Sequence, residues 1–118
     1  MDSDESTSQG EISFSELEVS GRELRALANP LARHTVRFID AHPKATLDEV
    51  ADAVAGFEAA DTDAIVTAST RDRFQIKLYH VVLPRLDDVG LVQFDRTART
   101  VERADIPDGV AALLELGD

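Results

Sequence analysis

The most constraining feature of this sequence is a long amphipathic stretch that ends at a glycine. Between Ser69 and Gly90, large apolar side chains recur at steps of three or four residues: Phe74, Leu78, Val82, Leu86 and Val89. That spacing places them on one face of an α-helix. Ser69 and Asp72 have the spacing of a helix start, and Gly90 suits the position just after a helix end. Pro84 predicts a kink or division near residues 80–83, because proline removes one backbone hydrogen bond.

A β-hairpin is predicted directly after this helix. Val92 and Phe94 alternate with polar residues, and Val101 lies between Thr100 and Glu102. Alternation of this kind is typical of strands with one buried face. Residues 96–99, Arg-Thr-Ala-Arg, separate the two runs and form the predicted turn.

Further helices are predicted on both sides of this unit. Ser20 with Glu23, and Thr46 with Glu49, have the spacing of the capping box that begins many helices. Asn29-Pro30 is an N-cap followed by proline at the first helical position. The predicted helices are residues 20–28, residues 30–41, and a third helix from residue 47 to an end between 56 and 60. A last helix with an apolar face is predicted from Pro107 to residue 116.

The element order is therefore α-α-α-α-β-β-α, which predicts a mostly α fold with a small β-hairpin, a winged helix-turn-helix. At 118 residues the chain has the length of one domain. Residues 20–118 are assigned to the winged-helix domain. Residues 1–19 form an acidic tail that is expected to be largely disordered, because few of its side chains could be buried.

The composition excludes several classes of protein. The chain has no cysteine, no apolar run long enough to span a bilayer and no signal-peptide pattern, so a cytoplasmic protein is expected. Its net charge is −11, with 23 acidic and 12 basic residues, and only two of the basic residues are lysine. This bias is expected in a protein adapted to concentrated salt, where charges are screened. An ordinary acidic protein is the alternative.

Residues 71–100 are locally positive, with six basic and four acidic residues. Arg73, Lys77 and His80 lie along one side of the predicted long helix. Arginine and glutamine can make bidentate contacts to bases, and arginine and lysine bind phosphates. The predicted double-stranded DNA-binding residues are Arg71, Arg73, Gln75, Lys77 and His80 on the helix, and Arg96 and Arg99 at the tip of the wing. The alternative is an ordinary solvated helix face.

Three segments carry a resemblance to known families. Leu27-Ala-Asn-Pro30, with Arg33, Val36 and Ile39, resembles the opening of arsenic-repressor-type winged-helix regulators. This opening, residues 46–52 and residues 76–95 are together similar to a winged-helix domain family of unknown function from halophilic archaea. Residues 76–95 read Ile-Lys-Leu-Tyr-His-Val-Val-Leu-Pro-Arg-Leu-Asp-Asp-Val-Gly-Leu-Val-Gln-Phe-Asp. The resemblance covers residues 24–106. It implies a winged-helix fold and a regulatory role, without site residues.

No catalytic, cofactor or metal site is predicted. The sequence has no nucleophile elbow and no glycine-rich phosphate loop, and its three histidines do not have metal-ligand spacing. No small-molecule substrate is evident. Two functions remain: a DNA-binding transcriptional regulator, expected to be a homodimer paired through the 20–28 and 107–116 helices, or a protein–protein interaction module on a winged-helix scaffold.

Overall fold

The computed structural model of the protein describes residues 19–62 and 65–116. The described chain contains helices α1 to α6, strands β1 to β3 and one π-helical segment, called the π turn. In chain order they are α1 (Gly21–Leu27), α2 (Pro30–Ala41), β1 (Lys44–Thr46), α3 (Leu47–Thr62), α4 (Ala68–Lys77), the π turn (Leu78–Val82), α5 (Leu83–Asp88), β2 (Val92–Asp95), β3 (Thr100–Arg103) and α6 (Asp108–Leu114).

The predicted starts of the first three helices are confirmed. The hydroxyl of Ser20 accepts from the backbone N–H of Glu23 at 3.0 Å, and the Glu23 carboxylate accepts from the Ser20 N–H at 2.9 Å. Thr46 and Glu49 make the same reciprocal pair. The Asn29 side chain accepts from the N–H of Leu31. Each cap satisfies N–H groups that have no partner within their helix.

The long helix forms as predicted but differs at its start and its middle. Thr67, not Ser69, caps α4, because the Thr67 hydroxyl accepts from the N–H of Thr70. Pro84 divides the helix where expected, but the division is a π turn, in which the N–H of Leu83 donates to the carbonyl of Leu78, five residues earlier. Gly90 follows α5 with a φ of 83°, a left-handed conformation that glycine adopts without strain.

The sheet has three antiparallel strands in the order β1-β3-β2. Phe94 faces Val101 in the predicted hairpin. The sequence did not predict β1, in which Ala45 lies opposite Val101 on the other side of β3. With only three residues, β1 is too short to show a period, and it forms because β3 offers a free edge.

The core lies between the three central helices and the sheet. Its most completely buried side chains include Val36 and Ile39 of α2, Val50 and Val54 of α3, and Leu78 of the π turn. Helix α3 continues to Thr62, beyond the end expected between residues 56 and 60, since Gly56 lies on the exposed side and the residues after it remain helical. The predicted mostly α fold with a small sheet is confirmed, and the arrangement is winged helix-like.

The expected tail falls almost wholly outside the described residues. Residues 1–18 are not described, but Val19 is buried against the domain. Among the described helices, none has the length and apolar character required to cross a bilayer.

Candidate nucleic-acid interface

Two of the predicted DNA-binding cations lie on the exposed side of α4. Arg73 and Lys77 are one helical turn apart, and both are exposed. Within residues 19–62 and 65–116, no carboxylate lies in ion-pairing distance of either side chain. Ile76 lies between them in sequence and is 60% exposed. This side of α4 therefore presents two cations and one large apolar side chain to solvent.

Arg71 and Gln75 lie on the side of α4 next to α3 and are bound to acidic residues of α3. The Arg71 Nε donates to the carboxylate of Asp52, and one terminal nitrogen donates to Gln75 Oε1 at 2.8 Å. Gln75 Nε2 donates to Asp48 Oδ1 at 2.6 Å. The hydrogen bond to Asp52, with the charges of Asp52 and Asp48, raises the pKa of the Arg71 guanidinium. We call these four residues the α3–α4 polar cluster.

This cluster changes the expected charge pattern. Arg71 also lies 3.7 Å from the Asp72 carboxylate. A guanidinium that faces three carboxylates contributes no net positive charge to the surface, and Gln75 has its amide engaged. The positive helix face predicted from sequence is thus reduced to Arg73 and Lys77, with His80 exposed beyond them.

The two wing arginines lie against one aromatic ring of the π turn. The guanidinium carbons of Arg96 and Arg99 are 5.7 and 5.8 Å from the centroid of the Tyr79 ring. That distance is within the range of attraction between a cation and the electron-rich ring face. Phe94 of β2 meets the same ring edge-on at 5.7 Å.

Backbone contacts also fix the tip of the wing. Arg99 has a φ of 58°, a left-handed conformation that turns the chain into β3. Its carbonyl accepts from the N–H of Leu47 at 2.9 Å, which ties the wing to the start of α3. Asp95 closes the turn by accepting from the N–H of Ala98 at 2.9 Å. The wing therefore stands in a defined position beside the helix.

A groove of about 550 Å³ lies between the helix and the wing. It combines apolar walls with the cation of Arg99 and the carboxylate of Asp72. Its lining residues are Leu47, Asp72, Gln75, Ile76, Tyr79, His80 and Arg99. We call it the helix–wing groove. It brings the predicted residues Gln75, His80 and Arg99 onto one surface.

Sequence reasoning missed the two residues that organise this surface most. Tyr79 was not among the predicted binding residues, yet it joins helix and wing. Asp48 was likewise not among the predicted site residues, yet it binds Gln75 across 27 residues of sequence. Neither contact has a local sequence signal, because each depends on how separate elements pack.

The terminal helices bury their main apolar side chains within the chain itself. Ala26 and Leu27 of α1, and Val110 and Leu114 of α6, belong to the core. Arg37 of α2 donates to the carbonyl of Leu114 at 3.3 Å. The apolar faces that were expected to pair two copies are thus already covered on their inner sides.

Comparisons with known proteins identify a family but no characterised relative. Neither a curated protein nor a solved structure matches the chain. The family model for a domain of unknown function, DUF7344, matches residues 24–102, a span that runs from α1 to β3 and includes the helix–wing groove. The chain therefore belongs to the DUF7344 domain family.

Proposed function

We propose that the protein is a double-stranded DNA-binding transcriptional regulator of winged-helix type. One observation carries the proposal: Arg96 and Arg99 of the wing contact Tyr79 of the helix, so that helix and wing offer one continuous surface. Arg73 and Lys77 are exposed on α4 itself. Four cations with no carboxylate partner in the described chain thus lie on the two elements that winged helices commonly place against DNA.

Each element would make a different kind of contact. Helix α4 would enter the major groove, where Arg73 suits a guanine edge and Lys77 suits a phosphate. Ile76 would meet apolar groups such as the thymine methyl. Arg96 and Arg99 would contact the backbone or the minor groove beside it. Arg71 and Gln75, which sequence reasoning included, would act by holding α4 on α3.

The charge of −11 opposes binding to DNA in dilute salt. We propose that the acidic, lysine-poor composition is an adaptation to the salt of a halophilic archaeal cytoplasm. At about 1 M salt the Debye length is about 3 Å, so distant carboxylates no longer repel the DNA, whereas direct contacts persist. The resemblance of Leu27-Ala-Asn-Pro30, with Arg33, Val36 and Ile39, to arsenic-repressor-type regulators is an inference from the sequence alone, and it points to the same regulatory role.

We also propose that the regulator is a homodimer. Two-fold pairing would place two α4 helices about one DNA turn apart, and a palindromic site would match that symmetry. Because the inner sides of α1 and α6 are in the core, pairing through them would use their outer sides. Sedimentation of the purified chain in molar KCl measures the oligomeric state directly.

Fluorescence anisotropy with labelled duplex DNA tests the proposal. Duplexes selected from a random library should bind the wild-type protein, and the Arg73→Gln/Lys77→Gln variant should lose that binding. Arg25 and Arg85 are exposed cations outside the helix–wing groove, so Arg25→Gln/Arg85→Gln is the charge-matched control and should bind as the wild type does. Failure to enrich any duplex between dilute and molar KCl would refute the proposal.

A protein–protein interaction module is the second candidate. Its support is apolar exposure on α4 and on the π turn, since Ile76 is 60% and Val81 is 41% exposed. Pull-down from a nuclease-treated lysate separates the two functions. Partners that survive nuclease treatment but are lost in an Ile76→Gln/Val81→Gln variant favour the module, and partners lost with the nucleic acid favour the regulator.

A further inference from the structure

A second cluster of charged side chains lies outside the helix–wing groove. His34 is in the middle of α2, and Glu58 and Asp61 are near the end of α3. Glu58 and Asp61 are three residues apart, so they point to the same side of their helix. Packing of α2 against α3 brings both carboxylates to the imidazole of His34. One ligand atom from each residue lies within 4.8 Å of the others.

The two carboxylates share one nitrogen of a buried imidazole. His34 Nε2 is 3.4 Å from Glu58 Oε1 and 3.3 Å from Asp61 Oδ2, while only 10% of the His34 side chain is exposed. Both distances exceed the 2.7–2.9 Å that is typical of a charge-assisted N–H···O hydrogen bond. One ring nitrogen carries at most one proton, which two carboxylates can share only in a bifurcated and weaker hydrogen bond. The nearly equal, long separations therefore leave neither carboxylate in a short hydrogen bond to the imidazole.

The two distances from His34 Nε2 fit ligands that surround a common cation, and the two carboxylate oxygens lie within 4.8 Å of each other. Ligand atoms about 2.1 Å from one ion, at the tetrahedral angle, lie about 3.4 Å apart. A cavity of about 220 Å³ adjoins the cluster, which leaves room for water molecules to complete the coordination shell. The ring of Phe57, with its centroid 5.5 Å from that of His34, holds the imidazole from one side.

Arg37 is the one cation that lines this cavity in the described part of the chain. Its Nε donates to the carbonyl of Leu114, so the side chain is drawn toward α6. The two carboxylates and the Arg37 guanidinium together carry a charge of −1. The local charge thus still favours a cation.

We infer that His34, Glu58 and Asp61 form a binding site for a divalent first-row transition-metal ion, such as zinc. Imidazole nitrogen favours such ions over calcium and magnesium, which prefer oxygen ligands alone. The ion joins α2 to the last turns of α3. It therefore stabilises the C-terminal end of α3, which precedes α4 in the chain. The site is independent of whether the chain binds DNA.

Isothermal titration of the chelator-treated full chain with zinc chloride tests the site. About 1 M KCl suppresses general attraction of cations to the acidic surface. The wild type should bind one ion per chain. Loss of a ligand in Glu58→Gln or Asp61→Asn should weaken binding by more than about tenfold, since even outer partners of metal ligands are worth that much.

Matched variants separate this site from general charge effects. Asp105→Asn removes an exposed carboxylate that is not part of the His34 cluster, and His80→Gln removes an exposed histidine that is not part of it. Both variants should therefore bind zinc with wild-type affinity. Glu58 and Asp61 are partly exposed, and their isosteric variants should keep the wild-type circular dichroism spectrum. Absence of binding up to millimolar zinc would overturn the inference. Equal affinity in the wild type and in the Glu58 and Asp61 variants would overturn it as well.

Discussion

Removal of the two wing arginines should halve the salt dependence of DNA binding. Arg73 and Lys77 of α4, with Arg96 and Arg99 of the wing, are the exposed cations of these two elements that have no carboxylate partner in the described chain. If each neutralises one phosphate, log K should fall with log[KCl] at a slope of about −3.6 per chain, because each neutralised phosphate contributes about −0.9. The Arg96→Gln/Arg99→Gln variant should show a slope of about −1.8.

Two controls make this measurement specific to the proposed surface. Arg71→Gln should leave the slope unchanged, since Arg71 is already engaged by Asp48 and Asp52. Arg25→Gln/Arg85→Gln removes two exposed cations elsewhere and should also leave it unchanged. Anisotropy titrations at several KCl concentrations give each slope. An unaltered slope in the wing variant, or an equal reduction in the Arg25/Arg85 variant, would refute the reasoning that the helix and wing form the contact surface.

Two predictions concern stability and are measured by urea denaturation. Tyr79→Leu should lower the free energy of unfolding by about 1–2 kcal/mol, since it removes two exposed cation–π contacts worth about 0.5–1 kcal/mol each. It should also weaken DNA binding. An unchanged midpoint of urea unfolding would show that the ring does not hold the wing. Thr46→Ala should cost about 1 kcal/mol through loss of the α3 cap, while Thr46→Ser should retain stability; equal stability of the two variants would contradict the role of the cap.

Signals that are local in sequence predicted most of the helices and the hairpin. The reciprocal pairs Ser20–Glu23 and Thr46–Glu49 span three residues each, so sequence alone carries both partners. Gly90 was predictable for the same reason, because its left-handed conformation depends on one residue type. Strand β1 was not predictable, since its three residues become a strand only by pairing with β3, where Ala45 lies opposite Val101, 56 residues further on.

The candidate site was predictable in its residue types but not in its electrostatics. The sequence places Arg71 and Arg73 two positions apart, with the same charge and similar expected roles. The packing of α4 on α3 separates them, because Arg71 turns toward Asp52, 19 residues away, while Arg73 remains exposed. The cluster of His34 with Glu58 and Asp61 was missed for the same reason, since its members belong to two helices.

The π turn explains how a single proline shapes both the core and the surface of this domain. In a straight α-helix, residues five apart are rotated by about 140° around the axis, so Leu78 and Leu83 could not face the same side. In the π turn, Leu83 bonds to Leu78 five residues back, and both leucines are fully buried. Pro84 has no N–H to donate to the residue four positions earlier, which removes one of the bonds that would favour the α form. The widened turn thus keeps Leu78, Val82, Leu83 and Leu86 in the core, while Tyr79, within it, contacts the wing arginines.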